Sequence, residues 1–187
     1  YKNSHKTLNN ELEEFYKLNK DWLREFALFM AIKNSQGGKE WQKWDKRYMH
    51  FNSPDVGIFE KENEKEIFFW IFLQYHFSKQ WEKLKDYANS KEIKIIGDIP
   101  IYVAYDRSDV WAHTNLFNLD ENLLPVTVAG CPPDFFSPTG QLWGNPIYKW
   151  NLMEQNNYSW WIGRIRHSFE IYDIVRIDHF RGFEAYW

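Results

Sequence analysis

Between Glu11 and Lys33 the apolar residues Phe15, Leu18, Trp22, Phe26, Phe29 and Met30 recur in helical steps and predict an amphipathic helix. The first ten residues are polar and are expected to fray, and Asn34-Ser35-Gln36-Gly37-Gly38 stops the helix at its other end. A short aromatic helix is expected around Glu40 to Tyr48, and Ser53-Pro54-Asp55 has the form of a helix cap. A long helix is predicted from about Glu60 to Tyr87, with a stripe of Ile67, Trp70, Gln74, Phe77, Trp81 and Leu84. The helical Trp and Phe stripes are read as core.

The pattern then changes. Residues 93–98 are a β-branched run flanked by polar residues, as expected of a buried strand. Residues 99–157 carry little periodicity and hold most of the Pro and Gly, and loops of that length are usually functional. A helix is predicted from Tyr158 to about Glu170, with Trp161, Ile165 and Phe169 in register, and residues 173–178 form a second strand. Helix, strand, excursion, helix, strand is a β/α pattern with a parallel sheet. The whole of 1–187 is therefore expected to be one segment of a barrel, with 99–157 an excursion that carries a loop at 130–146. Two strands cannot bury a sheet, so partner strands are expected outside this sequence. Residue 1 is Tyr and the last is Trp187, and both ends read as cut rather than finished.

Composition narrows the setting. The 187 residues carry a net charge of −3, which gives no broad electrostatic reason to bind nucleic acid. The 15 Phe, 11 Tyr and 11 Trp exclude a disordered tail and offer flat faces suited to sugars, bases or proteins. A single cysteine, Cys131, excludes an internal disulfide and fits a reducing cytoplasm. The longest apolar run, Ile67 to Leu73, is well short of the roughly 18 residues of a membrane-spanning helix, so no membrane partner is expected. The six histidines show no metal-ligand spacing, phosphate-loop motifs are absent, and nothing calls for a metal or organic cofactor.

Both predicted strands end in a carboxylate, Asp98 and Asp178, and in a β/α barrel those ends form the active-site face. Arg176 lies two positions before Asp178, on the same side of the strand, where its guanidinium favours the ionised acid. An ionised carboxylate suits a nucleophile or a cation stabiliser. Spacing alone leaves this open against a strand-end cap or a structural ion pair. His179 is a hydrogen-bond donor to the site or a turn residue. The loop from Gly130 to Pro146 presents Phe135, Phe136 and Trp143 beside Asp134, Gln141 and Asn145. Apolar platforms beside amides and carboxylates suit a polyol, and equally suit a loop folded back to plug a barrel.

Read together, Gly97-Asp98-Ile99-Pro100-Ile101-Tyr102-Val103-Ala104, Ser108-Asp109-Val110-Trp111, the Pro132-to-Pro146 loop and Val175-Arg176-Ile177-Asp178-His179-Phe180-Arg181-Gly182-Phe183 resemble the 4-alpha-glucanotransferases. These are the amylomaltases, or disproportionating enzymes, of glycoside hydrolase family 77 in the α-amylase clan. The resemblance runs along nearly the whole chain. It implies part of a (β/α)8 TIM barrel that transfers α-1,4-glucan segments between malto-oligosaccharides with retention of configuration. It implies that Asp178 is the nucleophile and that Arg176 holds it ionised. It implies that Asp98, Tyr102, Asn145 and His179 bind sugar, with Asp134, Phe135, Phe136, Gln141 and Trp143 in a lid over the glucan. Family members are much longer, and their acid/base Glu lies on a later strand, beyond Trp187. This chain alone is therefore expected to be inactive; a hydrolase or a non-catalytic glucan-binding fragment are the competing expectations.

Overall fold

The computed structural model describes residues 2–135 and 137–184, with side chains from Asn10 onward. The chain forms two compact units, Tyr1–Trp81 and Glu82–Trp187.

The first unit opens with α1 (Lys2–Ser35). The helix extends through the polar start instead of fraying at Asn10: no Gly or Pro interrupts it, and polarity alone does not stop a helix. Its buried face is Leu12, Leu23, Ala27, Leu28, Phe29 and Ile32, so of the anticipated stripe Phe29 is buried while Leu18 points to solvent. Two successive 3-10 turns, Trp41–Lys43 and Lys46–Tyr48, stand in place of the short aromatic helix. They carry Trp41 and Trp44 into the core, Trp44 packing 5.2 Å from the Phe29 ring.

Helix α2 (Pro54–Glu62) begins at Ser53, whose Oγ accepts the Val56 N–H at 3.3 Å and donates to the Arg47 carbonyl at 2.7 Å. Ser53→Ala is expected to lower the unfolding free energy by about 1 kcal/mol, the usual value of an N-cap, measured by urea denaturation of the full-length protein. The predicted long helix is broken at Asn63, which closes α2 by donating its backbone N–H to Phe59 and opens α3 (Glu64–Ser90) by accepting from Glu66 and Ile67. Arg24 grips Glu60 through two hydrogen bonds, at 2.7 and 2.5 Å.

Within this unit α3 buries Ile67 and Tyr75, the tyrosine hydroxyl donating to Glu11 at 2.7 Å. That hydrogen bond, with burial, raises the Tyr75 pKa to about 12. Phe77 is 59% exposed, contrary to the core stripe. It lies about 120° around the helix from the direction midway between Ile67 and Tyr75. Of the stripe Ile67 is buried and Trp70, Gln74 and Trp81 are half-buried, so periodicity finds part of the covered surface and misses the direction of Tyr75.

The second unit is built on a parallel pair, β1 (Ile96–Ile99) with β4 (Ile174–Ile177), in the register Asp98 opposite Arg176. The α/β class is as expected from the sequence. Gly97 and Ile99 are buried on one face of β1, while Ile96 and Asp98 are exposed on the other. Helix α6 (Ser159–Ile171) packs against both strands, with Trp161 buried and Phe169 exposed rather than in the core. Leu84 on α3 is likewise exposed.

The entry to both strands is tied by Asp173, whose carboxylate accepts the Ile95 N–H at 2.8 Å and the Asn89 amide at 2.9 Å. The Ile95 N–H, then Asn89, outweigh desolvation and hold the Asp173 carboxyl below its ordinary value, with help from Lys85 and Lys94. A depressed folded-state pKa adds stability above the unfolded value, about 4, that is lost as pH falls through the folded value. The melting temperature of the wild type is therefore expected to fall more steeply below about pH 4 than that of Asp173→Asn, followed by circular dichroism.

The excursion is more structured than its sequence suggests. It holds α4 (Ser108–Ala112), an antiparallel hairpin of β2 (Val128–Cys131) and β3 (Gln141–Pro146), and α5 (Trp150–Gln155). Tyr148 anchors it, buried among Tyr102, Phe117 and Trp161 and donating to the Ile101 carbonyl at 2.8 Å. Burial pushes the Tyr148 phenol well above its ordinary pKa. Arg164, lying over the Trp161 ring, donates to the Pro100 carbonyl at 2.7 Å and fixes the segment leaving β1.

Candidate functional site

The parallel register brings Asp98 and Arg176 side by side on the exposed face of the strand pair, Arg176 Nε lying 3.5 Å from Asp98 Oδ1. Asp98 is the third residue of β1 and does not end it, since Ile99 continues the strand. Asp178 follows the last residue of β4 by one position. Arg176 Nη2 reaches Asp178 Oδ2 at 3.0 Å, as their shared side of the strand requires.

His179 contributes twice. Its backbone N–H donates to Asp178 Oδ1 at 3.1 Å, and its Nε2 lies 3.4 Å from Asp178 Oδ2. The residue adopts a left-handed conformation, φ 52°, that turns the chain from β4 into the 3-10 turn Phe180–Phe183. Such a conformation in a non-glycine residue is uncommon and collects at functional sites. Partial desolvation raises the Asp178 carboxyl, but the Arg176 hydrogen bond, the His179 N–H and the neighbouring charges outweigh it and leave the pKa below the ordinary carboxylate value. Asp178 is thus an anion throughout the neutral range, half-exposed at the end of a strand.

The hairpin meets this cluster through Trp143. Its ring lies 4.6 Å from that of His179, and its Nε1–H donates to Gln141 Oε1 at 2.9 Å. Tyr102, on the segment leaving β1, lies 6.4 Å from Trp143 and donates its hydroxyl to the Gly182 carbonyl at 3.2 Å. Asp98, Arg176, Asp178, His179, Trp143, Gln141 and Tyr102 therefore form one connected group.

The remaining anticipated residues stand apart. Asn145 is half-buried in β3. At the hairpin tip Asp134 accepts the Ser137 N–H at 2.7 Å, and Phe135 is 95% exposed. Phe136 lies outside the described residues. Two glycines that sequence reasoning did not single out shape the site. A Cβ on Gly182 would lie 3.1 Å from the Tyr102 hydroxyl, and one on Gly97 would collide with the Tyr172 ring, 1.9 Å from its Cδ2. Only the packing reveals that a side chain is excluded at Gly97 and crowded at Gly182.

The family model described as 4-alpha-glucanotransferase matches residues 1–187. The 4-alpha-glucanotransferase of Clostridium butyricum is 49% identical over 100% of this chain and 39% of its own length. That of Aquifex aeolicus is 48% identical over 94% of this chain and 36% of its own. Among solved structures, the amylomaltase from Streptococcus agalactiae in complex with acarbose matches with a TM-score of 0.89 and 43% identity, over 96% of this chain and 36% of that one. The Corynebacterium glutamicum amylomaltase, at 18% identity and a TM-score of 0.71, shares the fold. The chain thus spans between 36% and 39% of the length of these two curated relatives. The fold is that of part of these TIM-barrel enzymes, and the chain belongs to the 4-alpha-glucanotransferase family, glycoside hydrolase family 77.

Proposed function

We propose that this chain carries the nucleophile of a retaining 4-alpha-glucanotransferase, and that the full-length protein moves α-1,4-glucan segments between malto-oligosaccharides. The observation that carries the reading is the Asp178 carboxylate, held ionised by Arg176 and His179 at the end of a barrel strand. In the first step Asp178 attacks the anomeric carbon. The glycosidic C–O bond breaks, the leaving oxygen takes a proton from a general acid, and a β-glycosyl ester forms on Asp178. In the second step an acceptor sugar hydroxyl, deprotonated by the same group, attacks that carbon. The α linkage re-forms and the carboxylate is released.

The general acid belongs to the part of the protein outside this sequence. A retaining pair needs two carboxyl groups about 5–5.5 Å apart on opposite sides of the bond. Asp98 is linked to Asp178 through one shared guanidinium, and Glu184 is separated from Asp178 only by a 3-10 turn. Neither position suits a group across the sugar from the nucleophile. The isolated chain is therefore expected to turn over no substrate.

Asp98, Tyr102, Gln141, Asn145 and His179 supply hydroxyl-binding groups, and the hairpin from Val128 to Pro146 arches toward the glucan. The exposed Phe135 gives a flat face for a sugar ring. The Streptococcus agalactiae relative was solved with acarbose, which supports a glucan-like ligand.

Incubating the full-length protein with maltotriose tests the assignment. A ladder of shorter and longer oligomers is expected by chromatography. Glucose and maltose alone would make it a hydrolase. Binding of maltoheptaose without any turnover would make it a non-catalytic glucan-binding protein.

A further inference from the structure

We infer that Trp143 is a positioning residue for Asp178, acting through His179, so that the seating of the hairpin sets the orientation of the nucleophile. This rests on the reading of Asp178 as that nucleophile. Three groups hold the carboxylate, and two of them belong to His179: the backbone N–H on Oδ1 and the ring Nε2 near Oδ2, beside Arg176 Nη2 on the same oxygen. The aim of the carboxylate therefore depends on where His179 is held.

The backbone of that residue is tied into its own turn, its carbonyl accepting the Gly182 N–H at 2.8 Å, so what remains to be fixed is the ring. His179 sits at φ 52°, ψ 44°, a conformation non-glycine residues keep only when their surroundings impose it. Its side chain is 53% exposed, with Trp143 tilted 49° against the ring at 4.6 Å. Trp143 is in turn fixed by its hydrogen bond to Gln141 and by the neighbouring Tyr102 ring. Tyr102 is tied to Gly182, in the turn that follows His179. The aromatic run Tyr102–Trp143–His179 joins three separate stretches of chain behind a single carboxylate. Without the indole, the imidazole is free to rotate, Nε2 leaves Oδ2, and the left-handed backbone loses a support.

A tryptophan that served only as a sugar platform would contribute to binding, whereas one that aims the nucleophile contributes to the rate of the covalent step. The experiment compares Trp143→Leu and Trp143→Phe in the full-length enzyme with maltotriose. Trp143→Leu is expected to lower kcat roughly 10- to 100-fold, as a misplaced reacting group does, with KM within roughly threefold of the wild type. Trp143→Phe, which keeps a ring against the imidazole, restores most of the rate. The imidazole C–H signals of ¹³C-histidine-labelled protein, assigned by their loss in His179→Gln, move in Trp143→Leu because the indole ring current is gone.

A rise in KM at constant kcat, an unchanged rate, or unmoved His179 signals would overturn the inference. Should Trp143→Leu fail to fold, Trp143→Met takes its place with the same expected outcome. If the wild type transfers glucan and Asp178→Asn does not, yet Trp143→Leu is normal, the positioning role alone fails. If the wild type makes no ladder, the transferase reading fails and this role with it.

Discussion

Asp178→Asn is expected to leave the fold intact and to remove transfer, lowering kcat by about four orders of magnitude or more, as loss of a covalent nucleophile does elsewhere. Asparagine keeps the size of the side chain and an oxygen that can still accept the His179 N–H. It loses the negative charge that faces Arg176 at 3.0 Å and with it the nucleophilic carboxylate oxygen that would form the ester. The measurement is the maltotriose ladder made by the full-length variant, with its melting temperature as the control for folding. Activity within tenfold of the wild type would dismiss Asp178 as nucleophile. A second readout uses Asp178→Ala with azide: the anion enters from the face the carboxylate vacated, so an α-glucan yields a β-glycosyl azide. An α product would place the nucleophile on a different residue.

The second large effect concerns stability and requires no assumption about chemistry. Gly97→Val is expected to destabilise the full-length protein by roughly 3 kcal/mol, the upper part of the usual range for overpacking a core. A Cβ at Gly97 would stand 1.9 Å from Cδ2 and 2.2 Å from Cγ of Tyr172, far inside any contact real atoms make. The tyrosine follows α6 directly and precedes Asp173, so displacing it loosens the tie that enters both strands. The register that sets Asp98 against Arg176 is then expected to suffer, and activity to fall with stability. Gly97→Ala gives the same sign with a smaller size. A double-mutant cycle identifies the cause: Tyr172→Ala should relieve Gly97→Ala if the clash is with that ring, and add to it if it is not.

Elements whose signals are local were legible in the sequence. The cap at Ser53, the strand around Ile96, the strand from Ile174 and the helix from Ser159 all lie close to where periodicity and capping residues put them. The break at Asn63 was not, because an asparagine amid helix formers reads as a minor cost and only its double hydrogen-bonding role marks the joint. Short elements such as α4, α5 and the hairpin strands are below the length at which a period can be read. Burial was the least legible property. Leu18, Phe77 and Phe169 follow helical spacing yet are exposed, since spacing reports a face and not what covers it.

The same distinction applies to the candidate site. Strand alternation suffices to put Arg176 and Asp178 on one side, and a parallel pairing sets Asp98 beside them. The contact of Trp143 with His179 depends on how a hairpin from the middle of the chain folds back, and no pattern in the sequence encodes it.

The tie between Ile95 and Asp173 spans 78 residues. At translation rates of 5–20 residues per second, that stretch takes roughly 4–16 s to make. The first strand thus leaves the ribosome seconds before the strand it pairs with, while the hairpin and its neighbouring helices, whose contacts are closer in sequence, have time to form. On this timetable Asp98 waits for Arg176, and within this unit the charged cluster is among the last features assembled. A pause in synthesis between them would prolong the exposure of an unpaired strand edge, a state open to pairing with other chains.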